Sequence, residues 1–208
     1  MRRKIIILFL LLLLCLSSWA QQNNFLGGAS PKLRQFLTDH PAATKLLTNT
    51  LSEAFSNRTV HLYYFYSDDE SIARAFHYYQ YESSVVIAIR ENQQPSDEFI
   101  CLVFEMLNSE GETRFQEISE KAASGTISRT NFPIEILKVE FEAVKRIHDL
   151  LGNLKLNEKE VDESYYYNRF TQCPNKFEDF LSYTKKVSPH RDPIKEYEAK
   201  YDLLRRTP

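Results

Sequence analysis

The hydrophobic pattern of the chain centres on the stretch Phe99–Asn108, which follows the β-branched run Val85–Ile89 after a polar loop. The stretch is too short to cross a bilayer, so it predicts a helix over 97–109 that is buried inside a globular domain. Its only charged residue is Glu105. Because burying an isolated carboxylate costs several kcal/mol, such a group must be paired, protonated or used in chemistry. Glu105 is therefore the first candidate functional residue.

Two segments carry the pattern of β-strands. Thr59–Tyr66 alternates between two faces, and Val85–Arg90 is rich in β-branched residues. Strands are therefore expected near 59–66 and 85–90. Between them, Ser67–Glu70 has the spacing of a capping box, which predicts a helix over 71–79.

Helical periodicity accounts for most of the remaining chain. Further helices are expected over 31–39, from Pro41, over 113–123, over 131–151, over 157–165, around 177–181 and from Pro193. The segment Tyr165–Tyr167 is expected to lead into a loop. Helices, then few strands, then many helices favour a mainly helical α+β fold, with a small sheet packed on the central helix and on the long helix 131–151.

The long helix carries the second candidate residue. Glu140 lies on its apolar face, four residues after Ile136 and three before Ala143. Positions three and four apart share one face of a helix. Two helices therefore each carry one carboxylate at a position that the pattern marks as buried.

The N-terminus has the pattern of a secretory signal. Residues 2–4 are basic, 5–16 are apolar and 18–20 form an A-x-A-like cleavage site, so cleavage after Ala20 is expected, with retention as a signal anchor as the alternative. The expected organisation is a signal peptide at 1–20, a flexible leader at 21–30 and one globular domain at 31–208, with its core at 59–151 and a helical part at 153–208. The expected location is secreted or periplasmic, with no stable membrane span after cleavage.

Charge and cysteine content exclude some classes of protein. Cleavage would remove three of the 26 basic residues and none of the 28 acidic ones, leaving a formal charge of −5 without a basic stripe. Nucleic-acid binding is therefore not expected. Cys101 and Cys173 could form one disulfide, or Cys101 could be a small apolar residue of a buried helix. Cleavage would remove Cys15, and the two cysteines of the mature chain can make neither a disulfide-rich scaffold nor a CxxC metal or redox site.

A strand, a loop and a buried helix with a Glu in its middle resemble the core of the zincin metallopeptidases, over roughly residues 59–151. In that family the helix carries H-E-x-x-H, whose two His bind zinc and whose Glu activates the metal-bound water. Here Glu105 keeps the position of the general base, while Phe104 and Asn108 stand where the His ligands would be. In the gluzincin branch a Glu on a later helix is the third ligand, a place that Glu140 would suit.

The departures from this motif imply a scaffold that has lost its metal. Phe cannot bind zinc and Asn is a poor zinc ligand, so neither a metal nor another cofactor is expected. Asn108 could then hydrogen-bond Glu140. In an unrelated α+β domain, the two Glu would instead be buried acids paired with Arg, Lys or Tyr, with Arg90 and Arg114 as candidates.

Three functions remain open at this point. The first is a non-catalytic binding domain for a protein, peptide or glycan. The second is a metal-independent hydrolase that uses Glu105 and Glu140 as acid and base, which requires a shared cleft. The third is a helical module that docks through tyrosine-rich segments, with Tyr165 and Tyr166 as binding residues. The first interpretation is preferred because the metal ligands are replaced.

Overall fold

The computed structural model describes residues 27–54, 59–68, 75–81, 84–154, 156–187 and 192–206. The predicted signal peptide, its cleavage site and most of the predicted leader lie outside these residues. Within them, no helix is both long enough and apolar enough to cross a membrane.

Three strands form a small mixed sheet. They are β1 (Thr59–Phe65), β2 (Ala75–Tyr81) and β3 (Ser84–Arg90), in the order β1-β3-β2. Strand β3 pairs in parallel with β1 and antiparallel with β2. The run Val85–Ile89 is buried throughout, because β3 lies between two neighbours and under the helices. The strands expected near 59–66 and 85–90 are thus present.

The helix predicted over 71–79 is wrong, because strand β2 occupies its second half. Phe76 pairs with Ala88 and His77 with Ile87 across the β2–β3 ladder. The segment is rich in aromatic residues, which suit a pleated, half-buried surface. A capping box is a local signal, and here the pairing of two strands outweighs it.

The described part of the chain has nine helices besides the sheet. They are α1 (Pro31–Asp39), α2 (Pro41–Ala54), α3 (Pro95–Ser109), α4 (Glu112–Ser124), α5 (Asn131–Gly152), α6 (Glu158–Glu163), α7 (Tyr165–Thr171), α8 (Phe177–Val187) and α9 (Pro193–Arg206). The sheet packs on α3 as expected, but its expected packing on the long helix is not seen among the described residues, because α3 lies between them and contacts both. Helix α4 ends at Gly125, whose φ of 77° lies in the left-handed region that glycine tolerates. The fold is the mainly helical α+β class that the pattern predicts.

Two boundaries differ from the expectation. Helix α3 begins at Pro95, two residues before the expected start at 97, and Ser96 and Asp97 are buried in its first turn. The segment Tyr165–Tyr167, expected to lead into a loop, is the start of α7, because the Ser164 side chain accepts a hydrogen bond from the backbone N–H of Tyr167.

Helix α3 is the centre of the domain. It packs against α1, α2, α5, α7, β2 and β3, and its residues 99–103 are at most 2% exposed. A smaller apolar cluster of α4 and α5 is formed by Ile118, Ala122, Phe132, Ile136 and Val139, and α9 packs against it with Tyr197, Tyr201 and Leu204. Because α3 contacts both the sheet and α5, its C-terminal half can bring residues of these elements into one site.

Candidate functional site

A cavity of about 490 Å³ lies beside the C-terminal half of α3. Its lining comes from β2 and from the helices α3, α4, α5, α7, α8 and α9. Helix α3 contributes Cys101, Phe104, Glu105 and Asn108. This spacing of three and four residues places the four side chains on one helix face. The volume falls within the range of small-molecule sites.

Glu105 is paired with a histidine from the sheet. Its Oε2 lies 2.8 Å from Nδ1 of His77, and Nε2 of His77 lies 3.8 Å from Oε2 of Glu112. The side chains of His77 and Glu105 are only 9% and 8% exposed. Burial by itself lowers the pKa of His77, but the hydrogen bonds and charges of Glu105 and Glu112 outweigh it and raise that pKa to about 9. His77 is therefore an imidazolium at neutral pH.

Glu140 lies on the same cavity and is held by a tyrosine. The hydroxyl of Tyr197, on α9, donates a hydrogen bond to Oε1 of Glu140. Burial and then the charge of Glu140 raise the pKa of Tyr197 well above its ordinary value, with a smaller contribution from Glu105. The phenol therefore stays neutral and acts as a hydrogen-bond donor to Glu140.

Asn108 has an unsatisfied polar atom. The residue lines the cavity and is 7% exposed, and its Oδ1 has no hydrogen-bond partner among the described residues. The expected hydrogen bond between Asn108 and Glu140 is not formed among the described residues, and Glu140 accepts from the hydroxyl of Tyr197. Buried polar atoms are normally satisfied, so an orphan oxygen on a cavity wall calls for an explanation.

The alternative in which the two Glu are buried acids paired with Arg, Lys or Tyr is correct about tyrosine and wrong about Arg114. Tyr197 is the partner of Glu140, whereas Arg114 pairs with the exposed Glu142. The partner of Glu105 is a histidine, a residue type that the sequence interpretation did not consider.

Cys101 and Cys173 are both buried and neither is in a disulfide, so the expected alternative of a bond between them is not formed. Each lines the cavity. Burial raises the pKa of the Cys173 thiol to about 11 against the opposing charge of Arg169. At neutral pH this thiol is protonated and therefore a weak nucleophile.

Of the two predicted binding tyrosines, Tyr165 is half-buried, whereas Tyr166 is buried and lines the cavity. The hydroxyl of Tyr165 donates to the carbonyl of Val187 at 2.8 Å. Tyr166 is 9% exposed and its ring stacks on Phe170 with a centroid distance of 5.7 Å. Tyr63 and Tyr66, by contrast, are exposed at 60% and 66%.

Sequence reasoning identified Glu105, Asn108 and Glu140, and the structure places all three on one cavity. It missed His77, Glu112 and Tyr197. His77 was missed because its segment was assigned to a helix, whereas strand alternation would have placed it on the same face as the buried Ala75. No local signal marks Tyr197 as the partner of a residue 57 positions earlier.

Comparisons with known proteins find no matching family model, no matching curated protein and no matching solved structure. In the part of the chain that the structure describes, no group of three or more His, Cys, Asp or Glu side chains could hold a metal ion. The segment Phe104–Asn108 does not fit the zinc of an H-E-x-x-H motif, since it has Phe and Asn at the two positions where that motif has His.

Proposed function

We propose that this chain is a non-catalytic binding domain that holds a ligand in the cavity beside α3. The observation that carries this proposal is the Oδ1 of Asn108, a buried acceptor without a partner on the wall of a cavity of ligand-binding size. An unsatisfied buried acceptor costs about 1–3 kcal/mol. A ligand that donates a hydrogen bond there would remove that cost on binding.

The groups that could perform chemistry support binding over catalysis. Glu105 is engaged by His77, and Glu140 accepts from Tyr197. His77 carries its proton at neutral pH and so cannot act as a general base there. The thiol of Cys173 is likewise held in its protonated form.

The proposal also includes the type of scaffold and the cellular location. The strand β3, the loop after it and the buried helix α3 with Glu105 support the resemblance to a metal-free zincin core, as does the position of Glu140 on the same cavity. The apolar segment at residues 5–16 with its basic head supports a secreted or periplasmic location.

A screen of small organic fragments tests the binding function. Fragments of neutral, cationic and anionic character are detected by ligand-observed NMR on the wild type and on Ser119→Phe, which fills the cavity from α4. Ser124→Phe is the matched control, since Ser124 is exposed on the same helix. Fragments that bind the wild type and Ser124→Phe but not Ser119→Phe would support the proposal. An empty screen, or equal binding to all three proteins, would refute it.

The hydrolase alternative is favoured by one observation, namely that Glu105 and Glu140 line the same cavity. It predicts that Glu105→Gln abolishes the turnover of a glycoside or ester substrate while the protein stays folded. The binding proposal predicts no turnover by either protein, measured over a panel of chromogenic substrates.

A further inference from the structure

The buried oxygen without a partner lies beside an aromatic ring on the cavity wall. Oδ1 of Asn108 has no hydrogen-bond partner among the described residues, and Phe104 lies one turn earlier on α3. Both side chains line the cavity. Residues four apart on a helix are neighbours on one face. A ligand that reaches Oδ1 of Asn108 is therefore expected to lie against the ring of Phe104.

The ring of Phe104 belongs to a wider apolar wall. Its centroid lies 5.0 Å from that of Phe170, on α7. Further apolar side chains of the lining come from α4, α5 and α8, namely Phe115, Ile136, Leu137, Val144 and Phe180. Apolar ligand surface in contact with this wall is removed from water together with the wall, which favours binding. The part of the ligand beyond Asn108 is thus expected to be apolar.

Three hydroxyl groups of the lining already donate to acceptors of the protein. Ser119 and Thr184 donate to backbone carbonyls in the preceding turn of their own helices, at 2.8 Å and 3.0 Å. Tyr183 donates to the backbone carbonyl of Arg169 at 2.6 Å. A hydroxyl has one proton to donate, so these three groups offer a ligand lone pairs and no proton.

We infer that the ligand of this cavity is a mainly apolar molecule with an N–H or O–H group that donates to Oδ1 of Asn108, while its apolar body packs on Phe104 and the surrounding wall. A ligand in contact with Asn108 keeps water away from Oδ1, so only a molecule with a donor leaves that oxygen hydrogen-bonded. Such a site rejects an analogue that lacks the donor. The inference rests on the proposed binding function and adds the chemical class of the ligand and the group by which it is held.

Two neutral compounds of nearly equal shape test the donor. Indole and benzofuran differ in that only indole has an N–H group, and since neither is charged, the comparison does not depend on the charge of the lining. Their binding to the full chain is measured at pH 7 by NMR titration. Indole is expected to bind about tenfold more tightly, because bound benzofuran leaves Oδ1 of Asn108 without a donor.

Two variants separate the hydrogen bond from the apolar contact. Asn108→Leu removes the acceptor at similar volume, so the preference for indole should fall from about tenfold to less than about twofold. Phe104→Leu reduces the aromatic wall, so it should weaken both compounds and keep the preference. Asn131→Leu makes the first of these changes at an exposed position of α5 outside the lining and should alter neither compound.

Three outcomes would overturn the inference. If benzofuran binds at least as tightly as indole and Ser119→Phe blocks both, the cavity binds ligands but the donor is not required. If Asn108→Leu is folded and keeps the preference for indole, another acceptor holds the donor. If neither compound binds a wild type that is folded by circular dichroism, the inference fails, while the fragment screen decides the binding function separately.

Thermal melts of Asn108→Leu and Phe104→Leu show whether each variant is folded. The comparison of indole with benzofuran on the wild type needs no variant. It can therefore refute the inference even if a variant does not fold.

Discussion

The buried carboxylates at the two ends of α3 have different surroundings. At the N-terminal end, Asp97 and Glu98 are 3% and 4% exposed and are absent from the lining of the cavity. At the C-terminal end, Glu105 and Asn108 are 6% and 7% exposed and line it. Burial alone therefore does not separate a structural acid from a site residue. What separates them is whether the surrounding donors are complete.

The donors at the N-terminal end come from distant segments and leave no orphan atom there. Oδ1 of Asp97 accepts from the Ser164 hydroxyl at 2.6 Å and from the backbone N–H of Tyr166 at 2.9 Å. Glu98 accepts from the hydroxyl of Ser30 at 2.9 Å and from that of Tyr64. Burial raises the pKa of Glu98, against the lowering effect of these two hydrogen bonds. Through these hydrogen bonds the N-terminal end of α3 holds α1, β1 and α7 against the core.

At the C-terminal end of α3, one residue has a charged partner and another has an acceptor atom without a donor. His77 satisfies Glu105, whereas Oδ1 of Asn108 has no partner in the described chain. A protein that needed only stability would gain from an apolar residue at position 108. The retention of a buried polar group at a stability cost is typical of sites that bind.

The largest expected effect is at the N-terminal end. Asp97→Ala removes the acceptor of two donors, one of them on Ser164, which is fully buried. The free energy of unfolding should fall by about 3 kcal/mol, as measured by urea denaturation. Asp149→Ala, with a side chain 83% exposed, is the control and should change it by less than about 0.5 kcal/mol. If Asp97→Ala lowers the free energy of unfolding by less than about 1 kcal/mol, the N-terminal end of α3 does not hold these elements against the core.

The ion pair at the C-terminal end should make stability depend on pH. The pKa of His77 is raised in the folded state from 6.5 to about 9, so its contribution is complete below pH 6.5 and is lost as the pH rises through about 9. The difference in unfolding free energy between wild type and His77→Gln should therefore shrink by on the order of 3 kcal/mol between pH 6 and pH 9.5. Urea titrations at several pH values measure it.

The control for this pH dependence is His61→Gln, since His61 is an exposed imidazole of the same sheet. A difference between wild type and His77→Gln that stays constant with pH would mean that Glu105 and Glu112 do not hold the imidazolium.

Replacing the orphan amide should have a smaller effect of the opposite sign. Asn108→Leu removes an unsatisfied buried oxygen at similar volume, so the free energy of unfolding should rise by about 1 kcal/mol. Replacement by Leu at the other end of α3, Asp97→Leu, should lower the free energy of unfolding. The opposite signs would distinguish an acceptor that has its donors from one that lacks a donor. Thermal and urea unfolding check both signs. If Asn108→Leu destabilises the protein, the amide is part of the packing rather than a vacant acceptor.

The smallest effect is expected away from both ends. Glu142→Gln removes an exposed ion pair with Arg114, whose two side chains are 54% and 49% exposed. Such pairs contribute less than about 1 kcal/mol because solvent screens them. If urea denaturation shows a larger loss of unfolding free energy, then charge, rather than burial, determines how strongly the substitutions at the two ends of α3 affect stability.

Much of the architecture was predictable because its signals are local. The apolar run Phe99–Leu107 marks a buried helix, and Pro133 and Gly125 mark helix boundaries. The face that carries Glu140 follows from the 3.6-residue period. Strand β2 was not predictable in the same way, because its capping-box signal was local whereas its pairing with β3 depends on another segment.

The sequence by itself determined that Glu105 and Glu140 lie on the inward faces of their helices, where Glu105 is buried and Glu140 is half-buried, since hydrophobic periodicity fixes the orientation of a helix relative to the core. Only the tertiary structure decided which groups meet them. His77 reaches Glu105 from strand β2, and Tyr197 reaches Glu140 from the last helix. A hydrogen bond requires its two atoms to approach within about 3 Å, and that distance depends on how whole elements pack, which no short window of sequence encodes.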